Sequence, residues 1–158
     1  MLRPLYRGRQ VVHALRPQIA AGDLAFAREV LSEAEGRLFF AMPRRDQRHA
    51  LEVANKLRGK SDDRSLLVAA LLHDCGKGDV PIWLRVLNVL APAATRIMAA
   101  EGRGWRGAAY RLRHHPRLGA AKALEAGCTE TTARLIQGDV EPEEASQYAL
   151  LLAADDAS

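Results

Sequence analysis

Leu66-Leu67-Val68-Ala69-Ala70-Leu71-Leu72-His73-Asp74-Cys75-Gly76-Lys77 is the stretch from which the rest of the chain can be read. Its first seven residues are apolar around the full circumference of a helix, as a helix at the centre of a domain must be. They run without a break into His73-Asp74. An ionised carboxylate at the end of a buried helix is very costly unless it is paired, hydrogen-bonded or bound to a cation. The segment therefore predicts a helical core and asks what partners Asp74.

On the N-terminal side, Ser61 can cap this helix, Asp62 and Asp63 suit its positive end, and Gly59 stops the element before it. That element is predicted over residues 47–58, with Ala50, Leu51, Ala54 and Leu57 on one stripe and His49 and Val53 along its border. Before Pro43, Ser32-Glu33-Ala34-Glu35 has the form of a capping box and starts a helix that carries Leu38 and Phe39 inward. Gly22-Asp23 is expected to break the chain ahead of a helix over residues 24–31, and short helical pieces over 9–20 are interrupted near Pro17.

On the C-terminal side, residues 81–90 read as a short helix, and a further one begins at Pro92 and fades near Glu101-Gly102. Residues 102–107 read as a Gly- and Arg-rich loop. Helical periodicity resumes over 108–114, again over 116–125, and over 130–137 behind a Thr129 cap. The last helix is predicted from Pro142 to Asp155. No segment alternates convincingly with a period of two, so the expected fold is all-α.

Composition agrees. The 158 residues leave room for one core, and 48% hydrophobic with 27% charged residues excludes a disordered chain. The 28 Ala and 22 Leu, nearly a third of the sequence, are strong helix formers. The longest apolar runs, 66–72 and 148–154, fall far short of the ~20 residues that span a bilayer, and the basic N-terminus lacks a secretory pattern, so no membrane partner and a cytoplasmic location are expected. Cys75 and Cys128 are expected as free thiols. Of the 23 basic residues 19 are Arg, whose planar fork matches phosphate, whereas the net charge of +4 decides little by itself.

A divalent metal would answer the question Asp74 poses, because imidazole and carboxylate are ordinary ligands and two adjacent side chains at a helix end can reach one ion. A hydrogen-bonded structural pair is the plain alternative. Asp155, at the end of the apolar run Leu151-Leu152-Ala153-Ala154-Asp155, raises the same problem, and one ion accounts for both carboxylates.

The order His49, His73-Asp74, Asp155, in the contexts Arg48-His49-Ala50-Leu51-Glu52-Val53-Ala54, Ala70-Leu71-Leu72-His73-Asp74-Cys75-Gly76-Lys77 and Leu151-Leu152-Ala153-Ala154-Asp155, resembles the HD domain superfamily of metal-dependent phosphohydrolases. The likeness covers roughly residues 47–155. It implies an HD-domain helical bundle of five or more core helices over 46–158. Residues 1–45 are then an N-terminal helical extension that covers the site, forms a dimer surface or extends the core. It further implies one or two divalent ions held by His49, His73, Asp74 and Asp155, with Asp155 preferred to Asp156 because it follows Ala-Ala. Lys77 would contact a substrate phosphate just beyond the metal.

His115-Pro116-Arg117-Leu118-Gly119-Ala120 matches a histidine found in branches that bind two metals, and so resembles the HD-GYP cyclic dinucleotide phosphodiesterases and the HD-type diadenosine tetraphosphate hydrolases. His115 is thereby a further candidate ligand. The second such histidine is missing: Leu135-Ile136-Gln137-Gly138 stands in its place, and no Gly-Tyr-Pro follows. That speaks for one ion rather than two and against cyclic-di-GMP cleavage. His/Asp ligation suits Fe, Mn, Ni, Co or Mg without choosing among them.

The expected function is hydrolysis of a phosphoester or phosphoanhydride of a nucleotide or similar small phosphorylated compound. A divalent ion lowers the pKa of a bound water towards ~7 and neutralises charge on a phosphoryl oxygen. Asp74 would orient or deprotonate that water, with Lys77 as its catalytic neighbour. Arg103, Arg106, Arg111, Arg113 and Arg117 crowd around His115, and Arg113, Arg117 and His114 are candidates for substrate phosphate, against the plain reading of a solvated basic face. A regulatory module that binds metal and nucleotide without turnover is the alternative. Nucleic acid is not the expected partner, since no helix-turn-helix or aromatic RNA-binding motif accompanies the arginines. A homo-oligomer is compatible with the sequence. His13 is expected to be structural.

Overall fold

The computed structural model describes residues 18–158, so His13 and most of the helical pieces expected over 9–20 lie outside the described residues. Nine α-helices follow one another among them: α1 Ala21–Val30, α2 Glu33–Ala41, α3 Arg44–Arg58, α4 Arg64–Leu72, α5 Ile82–Leu90, α6 Pro92–Met98, α7 Gly104–Glu125, α8 Glu130–Gln137 and α9 Ala145–Asp156. A 3₁₀ turn, Pro142–Glu144, leads into α9, so the last helix opens with a tighter turn where an α-helix from Pro142 was expected. The described residues are 74% helical and contain no strand.

Helix α4 is the axis of the molecule. All seven residues from Leu66 to Leu72 are buried, and α3, α8, α9, α1 and α2 pack around them. Its cap is Asp63 rather than Ser61: Asp63 Oδ1 accepts from Leu66 N at 3.0 Å, while Ser61 Oγ accepts from Asp63 N at 3.2 Å. With the first helical residue at Arg64, only the side chain of residue 63 is in register with the third free amide.

The capping box at the start of α2 is present. Ser32 Oγ accepts from Glu35 N at 3.3 Å, and Glu35 Oε2 accepts from Ser32 N at 2.7 Å. Glu35 is itself buried and also accepts from Arg64 Nη2 at 2.6 Å and Cys128 Sγ at 3.4 Å. One carboxylate thus ties α2 to the start of α4 and to the residue that precedes the α8 cap. Helices α1 and α2 contribute Phe26, Ala27, Leu31 and Phe39 to the same core as α4.

The helices depart from the sequence reading in three further places. Gly22-Asp23 does not break the chain but lies in the first turn of α1, where amides are free of intrahelical partners and an acidic residue suits the dipole. Helix α3 begins at Arg44, directly behind Pro43, three residues earlier than expected. The two helices expected on either side of Pro116 are one, the 22-residue α7, which also takes up Gly104 and the rest of the expected loop to Gly107. Proline has no amide to offer the carbonyl four residues back. That carbonyl, Leu112 O, accepts instead from His115 Nδ1 at 2.9 Å, so the helix passes through Pro116 with the group satisfied.

A smaller core of Val80, Leu84, Ala108 and Ala109, backed by Leu87, Ala99 and Leu112, holds α5 and α6 against the first half of α7. Cys75 and Cys128 are buried and unpaired. No helix among the described residues is long and apolar enough to cross a membrane.

Candidate metal centre

Helix α4 ends at Leu72, and the chain coils through a turn over residues 73–77, fastened by Cys75 N donating to Leu72 O at 2.9 Å and Lys77 N donating to Asp74 O at 3.0 Å. This turn projects His73 and Asp74 from the end of a fully buried helix. His49 arrives from the side of α3 and Asp155 from the last turn of α9. Ligand atoms of His49, His73 and Asp74 lie within 4.8 Å of one another, which makes them the single group of three potential metal ligands among the described residues.

Asp155 closes the group from the other side. Its Oδ1 accepts from His49 Nε2 at 2.8 Å and lies 3.5 Å from His73 Nε2, while Asp156 is exposed. His115 Nε2, from α7, is 3.7 Å from Asp74 Oδ1. Lys77 Nζ donates to Asp74 Oδ2 at 2.7 Å and sits 2.6 Å from Oδ1, so this lysine is paired with the carboxylate it was expected to assist.

The two histidines nearest Asp74 are oriented alike. His73 Nδ1 lies 2.8 Å from Ala70 O and His115 Nδ1 lies 2.9 Å from Leu112 O. A carbonyl only accepts, so each Nδ1 carries a proton and each ring presents its Nε2 towards Asp74. This is the arrangement in which a backbone carbonyl fixes the tautomer of a metal-binding histidine. His73 Nε2 and Asp74 Oδ1 are buried and neither has a hydrogen bond of sound geometry, although the Lys77 ammonium stands 2.6 Å from Oδ1. Leaving His73 Nε2 unpaired costs about 1–3 kcal/mol, Oδ1 has only the Lys77 ammonium beside it, and an ion between the two atoms would satisfy both, so the residues present fit a divalent ion.

The charges bear on one another strongly. Burial works to lower the His73 pKa, but the carboxylates of Asp155 and Asp74 outweigh it and raise it. Burial works to raise that of Asp74, and His73 with Lys77 overcomes it and holds the carboxyl below its ordinary value. The hydrogen bond from His49 and the nearby His73 ring, 3.5 Å away, hold Asp155 far below the carboxylate range. His115 moves the opposite way from His73: burial and then the Lys77 ammonium lower it, favouring the neutral ring.

A cavity of about 140 Å³ opens beside these residues. His73, His115 and Asp155 form its polar side, and Pro116, Ile136, Tyr148, Leu151 and Leu152 an apolar wall that ends at Gln137. Tyr148, Gln137 and Leu152 are wall residues that the sequence alone did not mark. None of the arginines around His115 lines this cavity. Arg113 and Arg117 are exposed on α7, because residues two places from His115 lie about 200° around the helix from it. His114 stacks on Tyr110 with ring centroids 4.4 Å apart. Arg111 donates to Lys77 O and Asp79 O at 3.2 and 3.3 Å, holding the turn that carries Lys77, and Arg106 Nε donates to Met98 O at 3.2 Å.

Comparison of the chain with protein-family models, with curated proteins and with solved structures gave no match.

Proposed function

We propose that this chain is an HD-type metal-dependent phosphohydrolase that cleaves a phosphoester or phosphoanhydride of a nucleotide or similar small phosphorylated compound. The observation that carries the reading is the convergence of His73 Nε2, buried without a hydrogen bond, and the buried Asp74 Oδ1, which has only the Lys77 ammonium beside it, in a group whose third member is His49 and whose rim is Asp155. His49, His73, Asp74 and Asp155 would hold the ion, and His115 stands close enough to Asp74 to join them. A divalent ion bound there supplies a Lewis acid for a phosphoryl oxygen and a water of lowered pKa.

The chain's own residues divide the remaining work. Lys77 Nζ straddles both oxygens of Asp74, and Oδ1 also faces the Nε2 atoms of His73 and His115 at 3.5 and 3.7 Å, so Oδ1 is the oxygen placed to serve as a ligand or proton acceptor. Lys77, 18% exposed, is a cation beside Asp74 that can also offer a donor to a phosphoryl oxygen. The backbone bonds of His73 and His115 hold both rings with Nε2 forward. The apolar wall from Pro116 to Leu152 excludes water from one side of the cavity. Two buried free thiols suit a reducing compartment, and we place the activity in the cytoplasm on that ground.

Protein purified without chelator should carry about one divalent ion per chain by elemental analysis, and His73→Ala should lose it while keeping its helical circular-dichroism spectrum. Phosphate release should follow from at least one member of a nucleotide panel. Unchanged metal content in His73→Ala removes the metal site. Full occupancy with nucleotide binding and no phosphate release points to the regulatory module and removes the hydrolase.

A further inference from the structure

Helix α5 is apolar on its outer face as well as on the inner face that carries Leu84. Its only charged residue, Arg85, turns inward and donates to the buried Asp46 at 2.8 Å, while Trp83, Val86, Val89 and Leu90 face outward. Val89 is 79% and Leu90 77% exposed, and Ile97 on α6 is 83% exposed. Trp105, at the start of α7, continues the face, with its ring centroid 6.5 Å from that of Trp83. These six side chains present on the order of 800 Å², more than the largest apolar patch of a typical monomer and equal to one partner's share of a standard interface.

We infer that this face of α5, α6 and the start of α7 is a docking surface for a second copy of the chain, giving a two-fold dimer. Residues 80–100 contain no Lys, Asp or Glu, and their two charges are arginines. Trp, Met and Arg present with Lys, Asp and Glu absent is the composition of an interface core, where Trp and Arg carry most of the affinity. A face that meets itself across a two-fold axis needs both a projection and a recess. Trp83 with Trp105 forms the projection, and a hollow of about 270 Å³ lined by Arg85, Val86, Val89 and Leu90 forms the recess. An anionic lipid surface fits less well, because α5 and α6 carry two arginines between them and Arg85 is engaged by Asp46, which leaves Arg96 as their one exposed cation.

The full chain should sediment as a dimer of the 17.3 kDa subunit. Val89→Asp and Ile97→Asp, on two different helices, should each weaken the dimer by about 100-fold, the size of a central contact, and leave the far-ultraviolet spectrum unchanged. Leu124→Asp, at an exposed apolar residue of α7 outside the face, should leave the dimer intact. Hydrogen exchange supplies a second readout, with residues 82–98 of the unaltered chain gaining exchange on dilution. A monomer at every concentration, a dimer indifferent to both substitutions, or a monomer that binds phosphatidylglycerol vesicles through Trp83 would each overturn the inference.

Discussion

Gly76 has no side chain because there is no room for one. A Cβ there would stand 2.1 Å from His115 O and 2.6 Å from Gly119 N, so the turn after α4 lies backbone against backbone on α7. That approach brings His115 to Asp74. Gly76→Ala must push the two segments apart, and we expect a loss of about 1–3 kcal/mol in urea denaturation, the usual cost of overpacking. Gly119→Ala meets Ile136 Cγ2 at 3.2 Å, Gly76 N at 3.4 Å and Cys75 Sγ at 3.5 Å; the tightest is a side-chain atom that can yield and the backbone atom is at van der Waals distance, so it should cost less. Equal losses would mean that the contact does not set the spacing. At this scale the sequence was informative about His73, Asp74 and Asp155, because a charge at the end of an apolar helix is a local contradiction. It was silent on Tyr148 and Gln137, whose place in the cavity wall depends on how α8 and α9 meet α7.

At the scale of the element, Glu35 links three of them, and its chemistry sets a pH dependence. Burial works to raise its pKa, but hydrogen bonds from Ser32, Arg64 and Cys128 prevail and hold it below its ordinary 4.5. The unfolded chain therefore binds more protons than the folded one between the lowered value and 4.5. The stabilisation is complete above about pH 4.5 and is lost as pH falls through the folded-state value. Urea midpoints taken from pH 6 downward should fall less steeply in Glu35→Gln than in the unaltered chain, and parallel curves would count against the linkage. The capping box was legible because it is written in four consecutive residues. The continuity of α7 was not, since a proline inside a helix reads as a break until the carbonyl it deprives is found bonded to His115.

At the scale of the molecule, the candidate ligands come from α3, the turn after α4, and α9, so an ion held by them couples the two ends of the described chain. At a free ion concentration a hundredfold above Kd, binding adds about 2.7 kcal/mol of stability. For a chain of this size, that corresponds to a chelator-induced fall in Tm of about 5–10 °C in calorimetry. His73→Ala should melt at the same temperature with and without chelator, and an undiminished shift would locate the ion elsewhere. The all-helical fold was open to reading from Ala and Leu content and periodicity. The exposed apolar face of α5 was not, because the pairing of Arg85 with Asp46, 39 residues away, is what leaves its outer side without a charge.

The chain has two tryptophans, and both stand on that face, above the smaller core and away from the histidine cluster. Intrinsic fluorescence is therefore a local gauge in this protein. It reports the surroundings of α5 and the start of α7 while remaining blind to the main core. Loss of the packing of α5 and α6 on the smaller core ahead of the rest would shift the emission to longer wavelength before the circular-dichroism signal falls. An emission change on mixing labelled and unlabelled chains would need no introduced probe beyond the acceptor.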